Sequence, residues 1–280
     1  MKWSLWYPIV YPLIDINSNC TDIRIPVFKG DILLTCFRDH FAMYDISSKT
    51  ILDTIENLEA TNGDAIWISG IHGGMYDIQN KNINYKYRFL QDYVAPPAVS
   101  SKGISFVVQS QSAWINEGGV SISVKLSVSP QSWYPPAISN CGPVWIDEKN
   151  DIWLYRRTKN KKENIVKSGN FPRYVTALDS WIFWVEEDRI RGWNCEKDEF
   201  YSITSQAIDR IAIMNVDQKY PLICWSAWMD DRYGTDILCS NQQRIQRENN
   251  QVWPSMGDGK LLFRDENGVF FVHIEEARSK

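Results

Sequence analysis

A motif recurs along the 280 residues of this chain: a proline, a short apolar stretch, a glycine-containing turn and an alternating strand that ends in an acidic turn. It occurs at Pro97–Phe106, Pro136–Trp145 and Pro254–Phe263. Self-similarity of this kind indicates a repeat architecture, in which each unit can bury its apolar face only against its neighbours. The chain is therefore predicted to consist of several copies of one small structural unit.

The spacing of the motif predicts the size and number of the units. Equivalent prolines are Pro26, Pro97, Pro136, Pro172 and Pro254, so the successive intervals are 71, 39, 36 and 82 residues. If the first and last intervals each contain two units, the mean is about 38 residues, near the length of a four-stranded propeller blade. Seven such units need roughly 266 residues, which nearly uses up the chain. We therefore predict an all-β fold, a seven-bladed β-propeller with four-stranded antiparallel blades.

Period-two alternation of apolar residues locates the strands. The pattern is clearest in the fifth blade, where strands are predicted at Trp181–Val185, Arg189–Asn194 and Glu199–Ile203. The last blade is one strand short, and Leu5–Val10 near the N-terminus is predicted to supply its outer strand. That strand would complete the last blade and close the ring, leaving no open sheet edge there.

One blade carries a more specific pattern. Asp231-Arg-Tyr-Gly-Thr-Asp-Ile follows a tryptophan-bearing strand within Tyr220–Leu238. This segment resembles the turn of the TolB-type propeller repeat, and weaker echoes occur at Trp145–Tyr155 and Trp184–Ile190. The resemblance covers about five blades, since blades two and three lack the acidic turn, and it implies a TolB-like or WD40-like propeller fold. It implies no activity, because propellers serve many functions.

Composition favours one domain over residues 1–280. The chain is 44% hydrophobic and 23% charged, which suffices for a sizeable core and leaves no block that reads as disordered. The net charge of −4 gives no reason to expect binding to duplex nucleic acid. No segment has the apolar length needed to cross a bilayer, and the N-terminus lacks the pattern of a signal peptide. We expect no membrane association and a cytoplasmic location.

The cysteines show no CxxC pair or zinc-ligand spacing. Buried free thiols in a reducing compartment are favoured over a disulfide framework. No metal and no cofactor are predicted. The six cysteines are Cys20, Cys36, Cys141, Cys195, Cys224 and Cys239.

Catalytic signatures are absent from the sequence, which has no nucleophile elbow, P-loop, dinucleotide fingerprint or HExxH pair. No catalytic residue is predicted. Carboxylates do cluster in one class of turn, between the second and third strands of blades four to seven. Equivalent turns of a propeller emerge on one face, so these side chains are expected to form an acidic arc there. The candidates are Asp147, Asp151, Glu186, Glu187, Asp230, Asp231 and Asp265.

Three interpretations of the acidic arc stay open. Tight turns select aspartate for local hydrogen bonds, so turn chemistry explains these residues without a ligand. A partner-binding or cation-binding face is the second interpretation. The third is a glycosidase-like pair, which requires two carboxyl groups beside a sugar pocket.

Aromatic residues and one basic segment supply further contact candidates. Most of the 13 tryptophans fall in predicted strands, where they fill the core, but four lie nearer to turns. Exposed aromatic side chains are typical interface anchors. The four are Trp133, Trp193, Trp228 and Trp253, of which Trp133 and Trp253 precede motif prolines and are the favoured pair.

The basic residues, in the turn after the third strand of blade four, are Arg156, Arg157, Lys159, Lys161 and Lys162. A solvated loop and a docking patch for an acidic protein or a nucleic-acid backbone both explain this basic cluster, although the lack of interleaved aromatic residues argues against single-strand binding.

The sequence is most consistent with a non-enzymatic propeller that binds a protein partner, as a subunit or recognition component of a larger assembly. The inner strands, such as Pro136–Asn140, are small and weakly polar, which leaves little for acid–base chemistry. A carbohydrate-binding propeller is the alternative, and a carboxylate-based glycoside-active enzyme is a more distant one.

Overall fold

The computed structural model of the protein is an all-β structure. It describes residues 4–6, 11–13, 27–29, 31–37, 40–55, 58–61, 66–68, 72–77, 82–88, 95–100, 102–109, 112–126, 130–131, 134–167, 171–187, 189–205, 207–215, 219–229, 234–247 and 249–274. The chain divides into two compact units. The first comprises Met1–Ile55, Asp188–Ile190 and Ser202–Lys280, and the second comprises Glu56–Glu187 and Arg191–Tyr201.

The strands follow one another along the chain in sets of four. Two short N-terminal strands are β1 (Ser4–Trp6) and β2 (Tyr11–Leu13). The first sheet has β3 (Val27–Lys29), β4 (Ile32–Phe37), β5 (His40–Asp45) and β6 (Thr50–Ile55). The second has β7 (Leu58–Thr61), β8 (Ile66–Ile68), β9 (His72–Asp77) and β10 (Asn82–Arg88). The third has β11 (Ala95–Val99), β12 (Ser105–Gln109), β13 (Ser112–Glu117) and β14 (Val120–Lys125).

The remaining sheets continue the series. The fourth has β15 (Ala137–Ser139), β16 (Gly142–Ile146), β17 (Ile152–Arg156) and β18 (Lys161–Val166). The fifth has β19 (Arg173–Leu178), β20 (Trp181–Val185), β21 (Arg189–Asn194) and β22 (Glu199–Thr204). The sixth has β23 (Ala207–Met214), β24 (Leu222–Trp228), β25 (Thr235–Cys239) and β26 (Gln243–Ile245). The seventh has β27 (Val252–Gly257), β28 (Lys260–Asp265) and β29 (Gly268–His273).

In each sheet the consecutive strands are hydrogen-bonded in chain order, and the three strands of the seventh sheet are completed by the N-terminal strand β2. Six sheets are antiparallel throughout, and the sixth sheet carries β1 as a parallel fifth strand. Pro97 and Pro254 lie in β11 and β27, while Pro136 and Pro172 directly precede β15 and β19. The motif therefore marks the first strand of a sheet, where a proline is tolerated because that strand lies at the sheet edge.

The N-terminal strand of the seventh sheet differs from the predicted segment. Tyr11 of β2 pairs with Phe271 of β29, so the outer strand comes from Tyr11–Leu13 and the prediction of Leu5–Val10 is wrong. Leu5 belongs to β1, which pairs with β26 of the sixth sheet. Pro8 lies between these two strands in the sequence, and a proline cannot donate to a ladder. Two short strands therefore take the place of one.

Apolar alternation accounts for the core of each unit. The fifth-sheet strands β20 and β21 have the predicted bounds, and β22 ends one residue later than predicted. Middle strands such as β16, β20 and β25 are buried along their whole length. In the second unit, Phe106 and Trp145 pack with ring centroids 5.7 Å apart. In the first unit, Phe263 packs on Phe270 at 6.0 Å.

Four cysteines form disulfides, so the expectation of free thiols is wrong for these residues. Cys224 and Cys239 lie directly opposite each other on β24 and β25, with Cα atoms 4.1 Å apart. Cys141 in the β15–β16 turn bonds to Cys195 after β21, with Cα atoms 6.3 Å apart. The partners are 15 and 54 residues apart in sequence. Strand register brings Cys224 and Cys239 together, whereas Cys141 and Cys195 belong to one core cluster shared by the fourth and fifth sheets, so no local spacing motif reveals either pair. Cys20 lies outside the described residues.

A 3-10 helix, Arg157–Lys159, connects β17 to β18. Within the described ranges, no helix is long and apolar enough to cross a membrane.

Candidate functional site

Three of the predicted acidic residues, Asp147, Glu186 and Asp265, lie where the second strand of a sheet meets the turn to the third, and each is hydrogen-bonded within its own hairpin. Asp147, between β16 and β17, is fully buried. It accepts the backbone N–H groups of Lys149 at 2.8 Å and Asp151 at 3.0 Å, and the indole N–H of Trp153 at 2.8 Å. Such a carboxylate stabilises its hairpin and is shielded from a ligand.

Glu186 and Asp265 are also buried and internally bound. Glu186 accepts the Trp184 indole N–H at 3.0 Å and pairs with Arg191 at 3.1 Å. Asp265 accepts the Asn267 backbone N–H at 2.7 Å and pairs with Arg247 at 2.9 Å. These contacts agree with turn chemistry.

The remaining acidic candidates are Asp151, Glu187, Asp230 and Asp231. Asp151 accepts a hydrogen bond from the Asn164 amide at 3.0 Å. Glu187 is exposed. Asp230 and Asp231 lie outside the described residues. A role of the acidic turns in partner binding stays a prediction.

A small open pocket of about 260 Å³ adjoins one of these turns. Arg247, Asn249, Asp265 and Asn267 line it. The Arg247 guanidinium pairs with Asp265 and lies 4.2 Å from the centre of the Phe270 ring. Among the described residues that line the pocket, Asp265 is the only carboxylate, whereas glycoside hydrolysis requires two.

The basic cluster spans the end of β17, the 3-10 helix and the start of β18, so only Arg157 and Lys159 lie in the predicted turn, and the cluster is partly neutralised. Arg156 pairs with Glu163 at 2.8 Å and donates to the Cys195 carbonyl at 3.1 Å. The Arg156 guanidinium holds the pKa of the Glu163 carboxyl below its usual value. Arg157 pairs with Glu117.

The lysines of the basic cluster are more accessible. Lys159 lies 3.8 Å from Glu163 with its side chain 64% exposed, and Lys161 is also exposed. Lys162 donates from Nζ to the backbone carbonyl of Lys125 at 2.8 Å. The positive surface of this cluster therefore comes from its lysines.

The four candidate tryptophans have different environments. Trp193 is 8% exposed and donates to Asp198 at 2.8 Å, so it belongs to the core. Trp133 lies outside the described residues. Trp253 is half-buried, with the Arg264 guanidinium 4.9 Å from its ring centre. Trp228 is 62% exposed. An indole held in water to this extent is available for contact.

Hydrogen bonds connect the end of β24 that carries Trp228, in the sixth sheet, to the segment that leads into Trp253 of β27, in the seventh sheet. Trp228 ends β24 and pairs with Thr235, the first residue of β25. The Thr235 hydroxyl donates to the Gln251 carbonyl at 3.1 Å, and the Gln251 N–H donates to the Thr235 carbonyl at 2.9 Å. Gln251 precedes Trp253 by two residues. We call these four residues the tryptophan edge.

Asp209 fixes the backbone at the tryptophan edge. This residue of β23 is 6% exposed, and its Oδ2 accepts the Ser226 hydroxyl at 2.9 Å and the Trp253 N–H at 2.7 Å. Burial raises the pKa of Asp209 to about 6. Trp253 has φ of 55°, in the left-handed region that bulky residues rarely adopt. The hydrogen bond that the Trp253 N–H donates to Asp209 supports this unusual backbone conformation.

Sequence reasoning missed Asp209 because it belongs to no motif. A signal was present, since the buried positions Ala207, Asp209 and Ile211 alternate along β23. A carboxylate on the inward side of an alternating strand must find hydrogen-bond donors when it is buried.

Comparison with known proteins supports the fold. No protein-family model matches the chain, and no curated protein matches its sequence. Solved structures do match. BBS1N in complex with ARL6DN has a TM-score of 0.66 at 12% identity, over 97% of each chain. A chain of the mitotic checkpoint complex has a TM-score of 0.64 at 9% identity, over 97% of this chain and 93% of that one.

An enzyme is among the similar structures as well. A catalytically inactive virginiamycin B lyase from Staphylococcus aureus, determined with quinupristin, has a TM-score of 0.62 at 12% identity, over 94% of this chain and 97% of that one. Identities this low concern the fold alone. At the level of fold, the chain resembles WD40-type and related β-propellers.

Proposed function

We propose that the protein is a β-propeller interaction module that binds a protein partner as a recognition component of a larger assembly. The observation that carries this proposal is Trp228, whose indole is 62% exposed at a hydrogen-bonded strand end. Tryptophans on rigid elements are frequent hot spots of protein interfaces. Two similar structures, BBS1N with ARL6DN and the mitotic checkpoint complex, are themselves complexes.

The proposal includes the number of domains and the closure of the propeller ring. We propose one domain over residues 1–280, with seven blades in a ring closed by the N-terminal strand. The pairing of β2 with β29 supports it, because the start of the chain completes the sheet formed by its end.

A non-enzymatic role fits the placement of the acidic groups. Asp147, Glu186 and Asp265 accept hydrogen bonds from donors of their own hairpins, which leaves these carboxylates poorly placed for proton transfer to a substrate. The carbohydrate-binding alternative rests on the same exposed Trp228. A repeated lectin site would present equivalent indoles in several sheets, whereas Trp193 is buried.

A cytoplasmic location stays a prediction, and the two disulfides weigh against it. Disulfides persist in oxidising compartments and are reduced in most cytosols. An extracytoplasmic location is therefore favoured by Cys141–Cys195 and Cys224–Cys239.

Affinity capture tests the proposal. Tagged wild type, Trp228→Ala and a matched control, Phe200→Ala, are used to capture partners from extracts of the source cells, with detection by mass spectrometry. Phe200 is 71% exposed on a different sheet, so its removal controls for general loss of apolar surface. We expect one stoichiometric protein that Trp228→Ala loses by about tenfold or more and Phe200→Ala retains. Glycan-array binding without any captured protein would instead establish the carbohydrate-binding function.

A further inference from the structure

The outer strand of the third sheet, β14, has an open edge. It pairs with β13 along its whole length, from Ser112 opposite Lys125 to Glu117 opposite Val120. Among the described residues, no strand pairs with its other side. The sixth sheet differs, because β1 adds to the outer edge of β26. The chain itself therefore shows that an outer edge of these sheets accepts an added strand.

The register identifies the backbone groups that face outward from β14. A two-residue loop, Gly118-Gly119, joins the strands, and both glycines have positive φ, at 55° and 84°. Such a loop is flanked by a hydrogen-bonded pair, here Glu117 and Val120. Hydrogen-bonded and non-hydrogen-bonded pairs alternate along an antiparallel ladder. The N–H and C=O groups of Ser121, Ser123 and Lys125 are therefore directed away from β13.

A contact at the end of the strand agrees with this assignment. Lys162 donates to the outward carbonyl of Lys125 at 2.8 Å. The ladder groups that stay open are those of Ser121 and Ser123, enough for about four backbone hydrogen bonds to an added strand.

The side chains of β14 leave this edge unprotected. Val120 is 62% exposed and Ile122 is 47% exposed, and they lie on the same face of the strand. Natural edge strands are usually protected by an interior charge or a bulge. The outer strands β6, β10 and β18 each have a charged residue between their first and last positions in the sequence, and each has an irregular register. In contrast, β14 has a regular register and no charged residue before Lys125.

We propose that β14 is a docking strand for an extended segment of the protein partner, which adds to the third sheet by β-augmentation. The segment carries apolar residues at alternate positions, which cover Val120 and Ile122, and a carboxylate at the end that meets Lys125 and Lys162. Backbone hydrogen bonds supply affinity in this mode of recognition, and alternate side chains supply specificity. This inference rests on the proposed function, since it assigns a second surface to the same partner-binding role.

A second copy of the chain fits the edge less well. Self-pairing of one six-residue strand would bury far less than the roughly 1,200 Å² typical of a stable protein–protein interface. It would also supply no carboxylate from β14 to meet Lys125, because the strand itself has none. A single strand of a partner peptide supplies both the backbone hydrogen bonds to β14 and the carboxylate that meets Lys125.

Peptide binding to the purified full chain tests this inference. The probe is a fluorescein-labelled peptide, Asp-Thr-Val-Thr-Ile-Thr-Val-Asp, which has a carboxylate at each end and so serves either strand direction. The comparison probe replaces both Asp with Lys. Ser123→Pro removes one outward N–H, which an edge strand tolerates. Ile122→Lys places a charge on the exposed face, and Phe200→Lys is the matched control on β22.

We expect saturable binding in fluorescence anisotropy, about tenfold or more weaker for Ser123→Pro, for Ile122→Lys and for the lysine probe. Phe200→Lys should bind like the wild type. Circular dichroism melting of each variant shows whether it is folded. If Ser123→Pro is not folded, Ile122→Lys alone tests the inference. Equal binding by folded variants, or no binding by the wild type, would overturn the inference. A dimer that Ile122→Lys dissociates would assign the edge to a second copy and overturn it too.

The captured partner separates this inference from the proposed function. A partner that is lost with Trp228→Ala but retained by Ser123→Pro and Ile122→Lys would leave the proposed function standing and remove β14 from it. We expect the β14 variants to lose that partner. We also expect excess probe peptide to release the partner from the wild type by competition.

Discussion

Asp209 is a buried carboxylate whose ionisation opposes folding. Burial raises its pKa from 3.8 to about 6, although Ser226 and Trp253 donate to it. The folded state therefore binds the proton more tightly than the unfolded chain does. The stabilisation is fully present below about pH 4 and is lost as the pH rises through about 6.

We predict that Asp209→Asn removes this pH dependence. The wild type should lose about 3 kcal/mol of unfolding free energy from this group between pH 4 and pH 7. The asparagine carbonyl can still accept from Ser226 and Trp253, but it does not titrate. Urea denaturation at the two pH values measures the difference. An unchanged pH dependence in the variant would show that Asp209 is not the group responsible.

Asp45 provides a control of opposite sign. Hydrogen bonds from Ser48 lower the pKa of this exposed carboxyl. Its contribution is present above the unfolded-state pKa and is lost as the pH falls through the lower folded-state value. Asp45→Asn should therefore reduce the loss of stability at acid pH, whereas Asp209→Asn reduces the loss at higher pH.

At the scale of the elements, the two disulfides join segments that are 54 and 15 residues apart in the sequence. Cys141–Cys195 links the β15–β16 turn to the end of β21, across 54 residues. Cys224–Cys239 joins neighbouring strands across 15 residues. Cross-linking restricts the unfolded chain more when the closed loop is longer.

We predict that both disulfides stabilise the fold and that the longer loop contributes more. Replacing Cys141 and Cys195 by serine should cost about 4 kcal/mol, and replacing Cys224 and Cys239 about 3 kcal/mol. Denaturant unfolding of the two double variants, with thiol titration to confirm pairing, measures this. An unaltered midpoint in both variants, or titration of four or more of the six cysteines as free thiols in the wild type, would refute the prediction.

Sequence predicted the elements better than their contacts. The bounds of β20 and β21 follow from their apolar residues, because all of β20 and most of β21 are buried. The cysteine pairs were not predictable, since register alone places Cys224 opposite Cys239. The turn at Asp147 was predicted, but its burial was not, because the Trp153 indole covers a carboxylate that looked solvent-facing in the sequence. The role of Asp209 was not predicted because its hydrogen-bond partners, Ser226 and Trp253, are distant in sequence.

For the whole molecule, the repeat period is the most informative property of the sequence. One interval of about 38 residues corresponds to one four-stranded sheet, and the proline-free first strands β7 and β23 account for the two long intervals. A repeat of this kind fixes the strands and leaves their exposed ends free to vary. Function is therefore expected at departures from the repeat, such as Trp228 and the uncharged edge of β14.

The affinity of the captured partner tests the interaction function most directly. Purified partner is titrated by calorimetry into wild type, Trp228→Ala and Glu187→Gln, the last an exposed residue of an acidic turn. If the exposed indole carries binding, Trp228→Ala weakens the complex by about tenfold or more and Glu187→Gln changes it by less than about twofold. The opposite ranking, with Glu187→Gln weakening the complex and Trp228→Ala leaving it unchanged, would contradict the role of the tryptophan edge and transfer recognition to the acidic turns.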